Sequence, residues 1–130
     1  MKKSIQLKAI FPVEPERIYH AWLDSAEHSA MTGGKAVCSS ELGGKFSAWD
    51  GYISGANKSL EANKAIIQDW RTTEFKQSDE SSELIVQLSA VSDGCELVLI
   101  HNNIPDGQSD YEKGWIDHYF NPMKVYFQKD

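Results

Sequence analysis

Apolar and polar positions along the chain change period three times, and those changes mark out the elements. Ile5, Leu7, Ala9 and Phe11 alternate with polar neighbours, which predicts a strand from Lys3 to Phe11, ended by Pro12. Pro15 suits the first position of a helix, where its missing N–H is not needed. Ile18, Tyr19, Trp22 and Leu23 then share one helical face. Asp24 with Glu27 forms a capping-box pattern for a second short helix to Met31, stopped by Gly33-Gly34. From Lys35 the period returns to alternation. Short strands are expected at Ala36 to Ser40, Lys45 to Trp49 and Tyr52 to Asn57, the last two flanking a two-residue Asp50-Gly51 hairpin turn. A strand follows at Lys64 to Glu74, with Ile66, Gln68 and Trp70 on one side. After a polar loop, Lys76 to Ser82, come Leu84 to Val91 and Cys95 to Asn103, joined by Asp93-Gly94. Leu97, Leu99 and His101 share a face of the last strand.

The final stretch, Ser109 to Gln128, is helical again. Tyr111, Trp115, Tyr119 and Met123 form one stripe, with Ile116, Phe120 and Phe127 beside it. That face is too wide for a coiled-coil seam and right for covering a sheet. Ser109 and Glu112 fit a capping box. Asp110 and Glu112 complement the positive end of the helix dipole, Lys124 and Lys129 the negative end. Gly114 weakens the helix interior, and Pro122, which has no N–H for the His118 carbonyl, predicts a kink.

Strands joined by short loops pair antiparallel. A helix of about 19 residues spans roughly 28 Å and a strand of eight roughly 27 Å, so the last helix can cover the sheet from end to end. The expected fold class is α+β: a curved antiparallel sheet of about six to seven strands around one long C-terminal helix, with two short helices after the first strand. Residues 1–130 suit one domain with one core.

The net charge of −6 argues against a nucleic-acid surface, which needs clustered Lys and Arg. No apolar run approaches the roughly 20 residues of a membrane span. The N-terminus lacks the apolar core of a signal peptide, so the expected compartment is the cytoplasm. Cys38 and Cys95 read as reduced, partly buried side chains. His20, His28, His101 and His118 are not at metal spacing with one another or with either cysteine; His118 reads as a solvated edge position. No serine sits in a G-x-S-x-G elbow, and Gly43-Gly44 leads into a strand rather than a helix, so no phosphate-cradling loop is present. Asp50 is explained by its turn, and Asp69 reads as an exposed strand position. No acid–base pair can be assembled, and neither a cofactor nor a metal is expected.

Four blocks carry a resemblance. GGKFSAWDGYISG (Gly43–Gly55), AIIQDWR (Ala65–Arg71), NNIP (Asn102–Pro105) and GWIDHYFNPMKVYF (Gly114–Phe127) resemble the C-terminal domain of the activator of heat-shock protein 90 ATPase, and TGG at Thr32–Gly34 fits as well. That family is a branch of the START-like (SRPBCC) helix-grip superfamily. Met31 replaces an aromatic found in many relatives, and Ala62-Asn63 stands where many carry a proline. The resemblance implies a helix-grip fold and a non-enzymatic, chaperone-associated or stress-related binding module. The expected partner is the heat-shock protein 90 chaperone; the family's two-domain members carry a separate N-terminal domain that resembles nothing in these residues, so full activation of the chaperone by this chain alone is not expected. The alternative is a carrier or sensor of a hydrophobic small molecule held between sheet and C-terminal helix. Trp22, Phe46, Trp70, His101, Trp115, Tyr119 and Met123 would approach that space. Apolar walls with a few polar groups describe a pocket; they equally describe a packed core whose Trp and Tyr tips find partners. For His101, a satisfied core histidine is the favoured reading.

Overall fold

The computed structural model of the chain describes residues 3–108 and 110–128. Strand β1 (Lys3–Phe11) is followed by helices α1 (Pro15–Leu23) and α2 (Ser25–Thr32). Then come β2 (Lys45–Ala48), β3 (Ile53–Glu61), β4 (Ala65–Thr72), β5 (Ser82–Val91) and β6 (Gly94–Ile104). The C-terminal helical run consists of α3 (Tyr111–Trp115), a π-helical turn (Ile116–Phe120) and α4 (Asn121–Tyr126). All neighbouring strands pair antiparallel, in the order β1-β6-β5-β4-β3-β2, so the two ends of the strand sequence meet at β1 and β6. This is the α+β arrangement expected from the period changes, and the helix-grip fold that the resemblance implies.

Alternation decides which face is covered. Ile66, Leu84, Val86, Leu97 and Leu99 project from adjacent strands to the concave face and are essentially fully buried. Ile18, Ala21 and Trp22 of α1, Met31 of α2 and the C-terminal rings complete the core. Phe11 anchors one end, edge-on to Phe120 and Phe127 at 6.3 and 6.1 Å. Arg17 fastens α1 to its neighbours. It pairs with Glu27 of α2, whose carboxylate also accepts from the Tyr126 hydroxyl at 2.8 Å, and its guanidinium lies 5.2 Å from the Phe127 ring centre. Register shifts in β1 near Ile5 and in β3 near Asn57 mark β-bulges, the usual device for bending a sheet around a helix.

The structure departs from or refines the sequence expectations at several points. Ala36 to Ser40 is not a strand; only the bridge Val37–Ser47 forms. Serines of α2 take its backbone instead: Ala36 N–H donates to Ser29 Oγ and Cys38 N–H to Ser25 Oγ, each at 2.8 Å. The hairpin connection is not the two residues Asp50-Gly51 but runs from Trp49 to Tyr52, because Trp49 also adopts positive φ (51°, with 60° at Asp50 and 89° at Gly51). The cap of α3 is Asp110, which accepts from the Lys113 N–H; Ser109 and Lys129 lie outside the described residues. The irregularity expected at Pro122 takes the form of the π turn just before it, where Asn121 N–H reaches back to the Ile116 carbonyl. That wider turn lets Tyr119 and Phe120 both reach the core and leaves Ile116 38% exposed, outside the buried stripe.

Two glycines separate backbone need from tolerance. At Gly55 a Cβ would fall 1.8 Å from the Asp69 carbonyl oxygen and 2.7 Å from the Phe46 ring, whereas at Gly114 it would meet nothing within 4 Å. Gly55→Ala is expected to lower unfolding free energy by roughly 1–3 kcal/mol through overpacking. Gly114→Ala should raise it by roughly 0.5–1 kcal/mol by removing helix-interior flexibility. Urea unfolding of both variants checks the opposite signs.

Candidate functional site

The space beneath the C-terminal run is closed by three hydrogen-bonded units, each joining residues far apart in sequence. In the first, Trp115 Nε1–H donates to His101 Nδ1 at 3.1 Å. Ser82 donates its hydroxyl to the Trp70 carbonyl at 2.6 Å, so its oxygen accepts from His101 Nε2–H at 2.7 Å. These contacts fix the neutral tautomer with the hydrogen on Nε2. A second proton, on Nδ1, would face the Trp115 N–H. Burial pushes the His101 imidazole down to about 3.

In the second unit, His28 Nδ1–H donates to the Trp22 carbonyl and Nε2 accepts from the Tyr119 hydroxyl, both at 2.8 Å. Burial lowers the His28 pKa, opposed by the Trp22 carbonyl bond. The same burial raises that of Tyr119, with a smaller push from Cys38. In the third, Gln68 accepts from Trp22 Nε1–H at 3.4 Å and donates to Asn57 Oδ1 at 2.9 Å. Asn57 in turn donates to the carbonyls of Ser39 and Glu41, tying the segment before β2 to β3. Every member is a neutral group facing a complementary one, which rigidifies a core.

Open volume remains at one end. A cleft of about 560 Å³ lies between the Trp49–Tyr52 connection and the start of the C-terminal run. Trp49, Tyr52, Ile53, Trp70, Tyr111 and Trp115 wall it, and Asp110, Lys113, Asp117 and His118 stand at its rim. Its size and mostly aromatic lining fall within the range of small-molecule sites. Of the seven residues singled out from sequence, Trp70, Trp115 and Tyr119 line this cleft. Trp22, Phe46, His101 and Met123 are brought into the adjoining core instead, none more than 7% exposed. His118 is exposed as expected, yet its ring sits edge-on to Trp49 at 5.4 Å.

Sequence reasoning missed His28 as a core residue and Trp49 and Tyr52 as cleft walls. Strand alternation from Phe46 and Ala48 aims Trp49 away from the core; its positive φ overrides that alternation. Among the described residues no three His, Cys, Asp or Glu side chains gather as a metal site, and no helix is long and apolar enough to cross a membrane.

The family model described as activator of Hsp90 ATPase homolog 1-like protein matches residues 12–128. The chain belongs to that family. It is 31% identical over 117 residues to the activator of 90 kDa heat shock protein ATPase homolog of Dictyostelium discoideum, covering 87% of this chain and 30% of that protein. It is 29% identical over 127 residues to homolog 1 from Homo sapiens, covering 95% and 37%. The chain thus spans about a third of the length of these curated relatives. The crystal structure of an HSP90 activator from Plasmodium falciparum superposes with a TM-score of 0.85 at 25% identity, covering 95% of this chain and 94% of that one. The crystal structure of CalU16 from Micromonospora echinospora, at 18% identity, TM-score 0.80 and coverage of 98% and 77%, shares the fold.

The two buried histidines of this activator-family chain predict a pH dependence. An unfolded histidine takes up a proton near 6.5, whereas folded His101 stays neutral down to about 3 and folded His28 is lowered in the same direction. The stability they confer is therefore fully present above 6.5 and is lost as pH falls toward 3. His101 alone should account for roughly 2 kcal/mol of loss between pH 6.5 and 5. Urea unfolding at a series of pH values measures this; His101→Gln, though less stable at pH 7, should show a shallower acid slope than the parent chain.

Proposed function

We propose that this chain is a non-enzymatic binding module that docks on a heat-shock protein 90 chaperone in the cytoplasm and influences its ATP hydrolysis. The observation that supports this reading most is family membership together with a grip whose interior is sealed by side chains. A core in which His28, Gln68 and His101 are each satisfied by neighbouring side chains leaves the outer surface as the working part, as suits a protein-binding domain. Fold likeness alone would not carry function; here it stands beside a family match over residues 12–128. The curated relatives named as activators are about three times longer, so the module is proposed to bind the chaperone with partial effect on its ATPase. Calorimetric titration of this chain into heat-shock protein 90 from the same cell should give saturable binding, and steady-state ATP hydrolysis should change. A chaperone that neither binds it nor alters its turnover would sink the reading.

A second reading is favoured by the cleft: carriage or sensing of an apolar small molecule at the mouth of the grip. Retention of a ligand in native mass spectrometry, or a rise in melting temperature with apolar compounds, would support it. Neither observation with a broad apolar set would remove it.

A further inference from the structure

Three independent features meet at Trp49. Its backbone φ of 51° places a bulky aromatic residue in the left-handed region, a conformation that persists only where surroundings impose it. The surroundings are visible. Asp50 N–H donates to the Lys35 carbonyl at 2.9 Å. The indole lies so close over Gly34 that a Cβ there would sit 2.5 Å from its Cε3 atom. The Nε1 edge is across the ring from that contact. It is buried and has no hydrogen-bond partner among the described residues. By contrast, Trp22 and Trp115 deliver their N–H groups to Gln68 and His101. A strained, clamped indole with an unused buried donor, in the wall of an aromatic cleft, is poorly explained as packing alone.

We propose that the cleft binds an uncharged, planar aromatic carbonyl compound, such as a ketone, quinone or amide, whose rings lie against Trp70, Trp115 and Tyr111 and whose oxygen accepts the Trp49 Nε1–H. The inference rests on the small-molecule reading above and adds the ligand's class. The aromatic walls, with Trp70 tilted 43° to Trp115 and nearly perpendicular to Tyr111, offer both ring faces and ring edges to an aromatic body, and the cleft of about 560 Å³ holds one or two fused rings with room to spare. The single unused donor selects an acceptor. Charge at the rim selects neutrality: Asp110 and Asp117 outnumber Lys113, which already lies 4.0 Å from Asp117, so a carboxylate is disfavoured. The donor has no accessible surface in the empty cleft, so the side chains around it, with exposed His118 edge-on to Trp49 at the rim, have to shift to admit the oxygen.

Three probes of similar size test this on the full chain: acetylnaphthalene, its carbonyl-free counterpart ethylnaphthalene, and naphthoate. Binding is read from tryptophan fluorescence and from the indole N–H resonances in a ¹H–¹⁵N correlation spectrum. Acetylnaphthalene is expected to bind about tenfold more tightly than ethylnaphthalene, and more tightly than naphthoate. It should selectively shift the Trp49 indole resonance, identified by connecting its ring protons to the Trp49 backbone. Trp49→Phe keeps the wall and removes the donor, so the preference for the ketone should shrink to within about twofold. Equal binding of ketone and hydrocarbon, an unmoved Trp49 resonance, or an unchanged preference in Trp49→Phe would each overturn the donor assignment while leaving small-molecule binding standing. Naphthoate binding most tightly would overturn the neutral class. No binding by any probe would overturn both the inference and the reading beneath it. Should Trp49→Phe fail to fold, the wild-type resonance and the three affinities decide alone.

Discussion

Trp115 can lie under the sheet only because His101 accepts its N–H. An indole buried without a partner for its donor would oppose closure of the grip. His101 is able to accept because it is neutral, and it is held in the required tautomer because Ser82 occupies the other ring nitrogen. Ser82 in turn is oriented by the Trp70 carbonyl. One chain of hydrogen bonds thus links β4, β5, β6 and α3, and the C-terminal run is seated on the sheet through it. The His28–Tyr119 pair repeats the device at the other side of the run, joining α2 to the π turn. The two units share a physical requirement: low dielectric strengthens each bond and also penalises any charge placed there.

That requirement shapes where openness can exist. The interior is filled by groups that satisfy one another, and Gln68 and Asn57 extend the satisfied region toward β3. An aromatic-walled cleft is left where the π turn and α3 meet the Trp49–Tyr52 connection, at the end of the grip rather than beneath its centre. The grip is a packed block with an aromatic notch at one end. The block belongs to a chain of the activator of Hsp90 ATPase homolog 1-like family. The notch, with its clamped indole, is where the molecule departs from simple packing.

Much of the architecture was legible in the residue order. Strand alternation in Ile66, Gln68 and Trp70, and in Leu97, Leu99 and His101, placed the right side chains inward, because a strand has a side-chain period of two wherever one face is buried. The Asp24–Glu27 cap and the Gly33 stop were legible because capping is decided within a few residues. The Ala36–Ser40 strand failed because its backbone partners are serines on a helix rather than a neighbouring strand. The site was legible in part: Trp70, Trp115 and Tyr119 reach the cleft, while Trp22, Phe46, His101 and Met123 pack beside it.

What the sequence determined by itself is everything governed by local period: the order of elements, their antiparallel pairing, and the aromatic face of the last helix. Only the tertiary structure decided which buried group answers which. His28 meets Tyr119 across 91 residues and Trp22 meets Gln68 across 46, pairings that no spacing rule encodes. Only it could turn Trp49 against its strand's alternation and insert the π turn that sends Ile116 outward. The reason is one of range: periodicity is set by bonds along the backbone, whereas a partner for a buried polar atom is chosen by whatever the completed fold brings within hydrogen-bonding distance.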